Sequence, residues 1–94
     1  MKVRFNRAAL ADLAEILDYI ETRNPKAAAE LSQKFEEAAI LLGEMPDMGS
    51  PTSREQFRKL VVGKYLVAYE VRSAEILIHY VRHGARQRPW EGER

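Results

Sequence analysis

Basic side chains recur through the C-terminal half of the sequence in three short groups. The groups are Arg58 with Lys59, Arg82 with His83, and Arg86 with Arg88. Arginine can clamp a phosphate through paired hydrogen bonds, and histidine can carry a proton near neutral pH. Cleaving an RNA phosphodiester requires deprotonation of the 2′-hydroxyl, stabilisation of a crowded phosphorane and protonation of the leaving oxygen. Arg58, Arg82 and His83 are the candidates for such a site. A solvated cationic edge with no chemistry is the alternative.

The two histidines do not form a promising metal site. His79 and His83 lie four residues apart on a predicted strand, which places them about 13 Å apart along it. The sequence has no cysteine, so it has no thiolate ligand, no Cys nucleophile and no disulfide framework. We therefore expect no metal and no cofactor. His79 is expected to be packed or hydrogen-bonded in the sheet, and Glu70 and Glu75 to pair with neighbouring strand charges.

The net charge of +1 hides an asymmetry between the two halves of the 94 residues. Residues 1–53 carry six Lys and Arg against nine Asp and Glu, whereas residues 54–94 carry nine against five. The excess of arginine in the second half favours an anionic partner there, either nucleic acid or an acidic protein segment. An ordinary solvated surface is the alternative. No signal-peptide core or membrane span is visible in the sequence. The lack of cysteine is compatible with a reducing cytosol, where the protein is expected.

The stretch from Gln56 to His83 must position most of these basic residues. It contains three β-rich runs separated by Gly63-Lys64 and Ser73-Ala74. Breaks this short permit only antiparallel hairpins, so a three-stranded β-meander is predicted. Alternation places four residues of the last strand on one face, Ile76, Ile78, Tyr80 and Arg82, and four on the other, Leu77, His79, Val81 and His83. Both faces are partly apolar, so something besides the protein's own helices could cover the second one.

The N-terminal half is predicted to supply one strand and two helices. Lys2 to Asn6 alternates as a short strand, and Asn6 is a suitable N-cap for an amphipathic helix from Arg7 to about Arg23. Asn24-Pro25 ends that helix and begins a second one that runs to about Gly43. The tight break predicts an antiparallel helical hairpin. Residues 44–55 are predicted as a loop and residues 84–94 as a surface tail of one α+β domain spanning residues 1–94.

Several short motifs, in order, resemble the RelE/ParE superfamily of bacterial toxin–antitoxin toxins, and the ParE branch in particular. They are A-x-x-D-L-x-x-I-x-x-Y-I from Ala9 to Ile20, Asn24-Pro25, Met45 to Gly49, Arg58 to Leu60, Tyr65 to Tyr69, and Val81 to Arg86. Each motif is weak alone, and their order and spacing together are fairly specific. The resemblance implies a strand, a helical hairpin and an antiparallel meander.

The resemblance also implies a function. ParE-like toxins are linked to DNA gyrase poisoning and typically pair with ParD-like antitoxins, which predicts gyrase and such an antitoxin as partners in a hetero-oligomer. RelE-like toxins instead cut mRNA on the ribosome, using a basic cluster and a C-terminal tyrosine. No tyrosine follows Tyr80 in this sequence. A non-enzymatic gyrase toxin is therefore the leading hypothesis, with the ribonuclease and a degenerate, antitoxin-binding toxin as alternatives. The residues expected to bind target or antitoxin are Arg58, Lys59, Tyr80, Arg82, His83, Arg86, Arg88 and Trp90.

Overall fold

Two helices and five strands make up residues 1–84, the part of the chain that the computed structural model describes. In chain order they are β1 (Lys2–Phe5), α1 (Arg7–Arg23), α2 (Pro25–Glu44), β2 (Ser50–Pro51), β3 (Phe57–Val62), β4 (Tyr65–Val71) and β5 (Glu75–His83). The predicted α+β architecture is confirmed. The two-residue β2 lies inside the predicted loop, because a strand this short has no alternation by which to recognise it.

Two asparagines determine where the helices begin. Asn6 Oδ1 accepts a hydrogen bond from the Ala9 N–H at 2.8 Å, which caps the start of α1. Asn24 Oδ1 accepts one from the Ala27 N–H at 3.1 Å and caps α2, while the Asn24 N–H donates to the Ile20 carbonyl at the end of α1. A single residue therefore ends one helix and begins the next. The two helices pack against one another, as a helical hairpin requires.

The strands form one sheet in the order β1-β5-β4-β3-β2. The predicted meander of β3, β4 and β5 is antiparallel, and Gly63, with a φ of +61°, makes the first of its two turns. β1 pairs in parallel with β5. The helices cover one face of this sheet, and the core between them contains Ala9, Phe35, Leu42, Val62, Val67, Tyr69, Ile76, Ile78 and Val81.

An irregularity in β5 corrects the predicted faces of that strand. Tyr69 pairs with Ile78 and Ala68 pairs with Tyr80, so His79 has no partner on β4 and forms a β-bulge. One extra residue reverses the alternation that follows it. Val81 therefore packs into the core on the same side as Ile78, whereas the sequence pattern placed it on the opposite side. His83 lies on the helix side with Val81, and Tyr80 and Arg82 lie on the other side.

Neither α1 nor α2, the helices within residues 1–84, is long and apolar enough to cross a membrane.

Candidate functional site

The face of the sheet turned away from the helices, here called the outer face, carries two rows of side chains that run across the strands. Residues directly opposite in paired strands share a face. One row is Val61 on β3, Leu66 on β4 and Arg82 on β5, and the next row is Lys59, Ala68 and Tyr80 in the same strands.

Apolar surface and positive charge lie side by side in these two rows. Val61 is 68% exposed, and Leu66 beside it is half-buried. The Arg82 guanidinium lies over the Tyr80 ring at 4.0 Å from its centroid, a cation–π contact that fixes its direction. Neither Lys59 nor Arg82 forms a salt bridge to another residue within residues 1–84. This surface suits a partner that presents both apolar groups and negative charge.

A chain of ion pairs lies at the opposite end of the outer face. Arg4 donates two hydrogen bonds to the Glu75 carboxylate, at 2.8 and 3.2 Å, and the Arg72 Nη1 lies 3.6 Å from the same group. The Arg72 Nε lies 3.2 Å from the Glu70 carboxylate, which also accepts a hydrogen bond from His79 at 2.9 Å. The predicted pairing of Glu70 and Glu75 with strand charges is confirmed. Within residues 1–84, Lys59 and Arg82 take no part in these ion pairs and lie at the other end of the outer face.

These ion pairs make part of the stability depend on pH. The His79 hydrogen bond and the nearby Arg72 lower the pKa of Glu70 from its ordinary 4.5, and Arg4 lowers the pKa of Glu75 in the same way. A carboxylate with a lowered folded pKa contributes stability above its unfolded pKa and loses it as pH falls through the folded pKa. We expect a Glu70→Gln/Glu75→Gln variant to lose less stability than the wild type between pH 7 and pH 3. Urea unfolding at several pH values measures this.

A surface carboxylate provides the control for this pH experiment. Glu30 lies on the exposed surface of α2, and the Glu30→Gln substitution leaves the ion pairs intact. The stability of this variant should therefore depend on pH as that of the wild type does. If the double variant lost as much stability as the wild type between pH 7 and pH 3, the two carboxylates would contribute nothing to this dependence on pH.

His79 uses both ring nitrogens within the fold. Its Nε2 lies 2.9 Å from the Glu70 carboxylate, and its Nδ1 faces the Asn6 side-chain amide at 3.5 Å. The ring also packs against Phe57, with 5.1 Å between the ring centroids. The neutral form with its proton on Nε2 satisfies both contacts. The prediction that His79 is a hydrogen-bonded sheet residue is confirmed. No group of three His, Asp or Glu side chains within residues 1–84 is arranged to bind a metal.

Arg58 lies on the helix side of the sheet and holds a loop. Its Nη1 donates to the Gly49 carbonyl at 2.6 Å and to the Asp47 carbonyl at 3.2 Å. Tyr69, directly opposite Arg58 on β4, accepts a hydrogen bond from the Gly49 N–H at 2.9 Å and donates one to the Pro46 carbonyl at 2.8 Å. Burial raises the pKa of the Tyr69 hydroxyl above its ordinary 10.0, so it remains protonated and can do both. Together these side chains fasten residues 46–49 to the sheet.

His83 also lies on the helix side, at the far end of β4 from Arg58. Its ring meets Tyr65 edge-on at 5.1 Å between centroids, and within residues 1–84 its buried Nδ1 has no hydrogen-bond partner. Arg58 pairs with Tyr69 of β4, and His83 pairs with Tyr65 of the same strand. These two tyrosines are four residues apart, so Arg58 and His83 are separated by about 13 Å along the strand direction.

The predicted functional residues therefore divide into three sets. Lys59, Tyr80 and Arg82 come together on the outer face, whereas Arg58 and His83 lie apart from one another on the helix side. Arg86, Arg88 and Trp90 lie outside the described residues. The three candidate residues for RNA cleavage, Arg58, Arg82 and His83, are not brought to one place. The sequence analysis did not single out Val61 and Leu66 as functional residues, although they form the apolar centre of the outer face.

Solved structures share this fold, and two of them come from toxin–antitoxin systems. The chromosomal ParDE toxin–antitoxin system from P. aeruginosa superposes with a TM-score of 0.74 at 23% identity, over 88% of this chain and 95% of the other. The toxin–antitoxin complex RelBE2 from Mycobacterium tuberculosis superposes with a TM-score of 0.62 at 24% identity, over 87% and 88% of the two chains. The fold is thus the one found in proteins of toxin–antitoxin systems.

Sequence comparison identifies the family within that class. Residues 3–88 match the family model of the ParE toxin of the type II toxin–antitoxin system parDE. Toxin RelE2 of Caulobacter vibrioides is 36% identical over 78 residues, which are 83% of this chain and 89% of that protein. The chain therefore belongs to the ParE toxin family, within the RelE/ParE superfamily.

Proposed function

We propose that this protein is the toxin of a ParDE-like pair, that it inhibits DNA gyrase in the cytoplasm, and that a ParD-like antitoxin neutralises it. The observation that carries the proposal is the outer face, where Lys59 and Arg82 flank the exposed Val61 and the half-buried Leu66. Such a surface suits binding to a macromolecule, with cations available for DNA phosphate or acidic side chains. Membership of the ParE family supports gyrase as the target.

The same face suits an antitoxin segment that is amphipathic and partly acidic. Its apolar side chains would cover Val61 and Leu66, while its carboxylates would pair with Lys59 and Arg82. The related folds from P. aeruginosa and Mycobacterium tuberculosis come from toxin–antitoxin systems, which supports an antitoxin as the partner. A segment that orders on binding can still bind tightly if it covers enough apolar surface.

A ribosome-dependent mRNA endonuclease is the second candidate. The name RelE2 of the Caulobacter vibrioides relative, at 36% identity, favours it. In residues 1–84, however, Arg58 is engaged by loop carbonyls and lies far from His83. The nuclease would need a different set of groups around Arg82, or a rearrangement on the ribosome.

Two assays in parallel separate the candidates. In the first, gyrase and supercoiled DNA are incubated with the protein, and trapped cleavage complexes are measured. In the second, primer extension maps cuts in translated mRNA. We expect the wild-type protein to trap cleavage complexes. We expect Arg82→Ala to reduce their amount by about tenfold, because a cation at the interface is lost. Lys34→Ala, an exposed cation on α2, is the matched control.

The remaining outcomes each contradict part of the proposal. Codon-dependent cuts lost on Arg82→Ala or His83→Ala, without cleavage complexes, would establish the nuclease instead. If expression without an antitoxin causes no growth arrest, and neither assay responds, the protein is not an active toxin.

A further inference from the structure

A shallow groove lies between α2 and β1, the strand at one edge of the sheet. This α2–β1 groove has a volume of about 450 Å³. Its apolar lining comes from Met1, Val3, Ala39 and Ile40. Ile40 is 61% exposed and Met1 is 48% exposed, so apolar surface here is open to solvent. The groove is thus large enough to receive one apolar side chain of a partner beside Ile40.

Gly43 allows the groove to form. A Cβ at this position would lie 2.6 Å from the Met1 carbonyl oxygen and 3.5 Å from Val3 Cγ2. A side chain here would push the start of β1 away from α2. The close approach of helix and strand at this edge therefore depends on glycine.

The charges that line the groove are mainly negative and regularly spaced. Glu36 and Glu44 line it on either side of Ile40 along α2, at i, i+4 and i+8. Residues at this spacing follow one side of a helix, and the two carboxyl-bearing positions are about 12 Å apart. The last turn of α2 contains no basic residue, so its carbonyl end adds negative potential. The Met1 amino group, which donates to the Gly43 carbonyl, is the one cation placed at the groove within residues 1–84.

β1 also offers backbone groups for pairing. It is a terminal strand of the sheet and pairs only with β5 within residues 1–84. The free edge of a strand presents N–H and C=O groups to which an extended segment can add. In an extended segment, side chains at i, i+2 and i+4 share a face, and the outer two lie about 13 Å apart. That distance matches the spacing between Glu36 and Glu44.

We propose that the α2–β1 groove binds an extended segment of a partner protein with the pattern basic-x-apolar-x-basic. The apolar side chain lies in the groove beside Ile40, and the two basic side chains pair with Glu36 and Glu44. This surface is opposite in charge to the outer face and lies on the helix side of the sheet. The groove therefore selects a basic segment, whereas the outer face selects an acidic one. The inference about the groove does not depend on the proposed toxin target.

Matched peptides test this inference. The full chain is titrated with fluorescein-labelled TKTLTKT and with TETLTET at low salt, and binding is followed by anisotropy and by amide chemical shifts. We expect the lysine peptide to bind more tightly by at least about tenfold and to shift residues 2–4 and 39–44. We expect Glu36→Lys/Glu44→Lys to reverse the preference in favour of TETLTET. Because a reversal requires a folded protein, it excludes misfolding of the variant as the cause.

Charge reversals elsewhere on the helices provide the control. Glu21→Lys/Glu30→Lys makes the same change in net charge at exposed positions away from the groove, and should leave the preference unchanged. The inference is wrong if the lysine peptide causes no shifts at millimolar concentration, if both peptides bind equally, or if the shifts fall on Val61 and Leu66. A dimer of the chain that buries Ile40 would also overturn it.

Discussion

Replacing Gly49 with alanine is expected to lower the free energy of unfolding by about 1–3 kcal/mol. A Cβ at this position would lie 2.7 Å from the Lys59 carbonyl oxygen, 2.7 Å from the Tyr69 hydroxyl and 2.8 Å from Tyr69 Cε1. The carbonyl belongs to a paired strand, and Tyr69 is fully buried, so neither can move freely. The loop that Arg58 and Tyr69 fasten must then move outward. Urea unfolding of the wild type and the variant measures the difference.

A double-mutant cycle tests the cause. Tyr69→Phe removes the hydroxyl and leaves the Gly49 N–H and the Pro46 carbonyl without their partner, at a cost of about 1–3 kcal/mol. Because the hydroxyl is also one of the crowded atoms, the two costs should combine to less than their sum. Ser50→Ala, at an exposed neighbouring position, is the control and should change little. Fully additive costs would show that the cost of a side chain at position 49 does not come from crowding against the Tyr69 hydroxyl.

Val61→Glu is expected to weaken antitoxin binding by about 10- to 100-fold, or about 1.4–2.7 kcal/mol. Val61 is 68% exposed, so the substitution should leave the stability of the free protein almost unchanged. It removes apolar surface next to Leu66 and places a negative charge where the proposed partner is acidic. The result should appear mainly as faster dissociation, measured by surface plasmon resonance with the purified antitoxin.

A second exposed apolar residue serves as the matched control. Met45 is 49% exposed and lies at the end of α2, away from the outer face. Met45→Glu introduces the same charge and should retain the wild-type affinity. If both variants bind as tightly as the wild type, the outer face is not the antitoxin surface.

The local elements of this fold could be predicted because their signals are local. Asn6, Asn24 and Pro25 define the helix ends in the sequence, and the structure places them there. Gly63-Lys64 predicts a two-residue hairpin, and that turn alone pairs Val62 with Tyr65 and therefore Val61 with Leu66. The apolar centre of the outer face was thus accessible from the turn, although the sequence analysis named Lys59, Tyr80 and Arg82 around it and not Val61 or Leu66.

The candidate site could be predicted only in part because it depends on the phase of β5. Alternation has a period of two and contains no sign of the extra residue at His79. Alternation alone already places Arg82 on the opposite face from its neighbour His83. The extra residue additionally places Arg82 on the opposite face from Arg58. The role of Arg58 in holding the 46–49 loop depends on contacts across strands and loop, which no spacing in the sequence reveals.

The parallel pairing of β1 with β5 has a consequence for biosynthesis. Residues 2–5 leave the ribosome early, but their partners, residues 75–78, are translated some seventy positions later. Such distant pairing forms slowly and only after the intervening chain is available. A message truncated before codon 75 would therefore yield a fragment without Tyr80 and Arg82, and with β1 unable to join a sheet. Incomplete translation would therefore produce an unfolded polypeptide that proteases can degrade and that lacks the complete outer face.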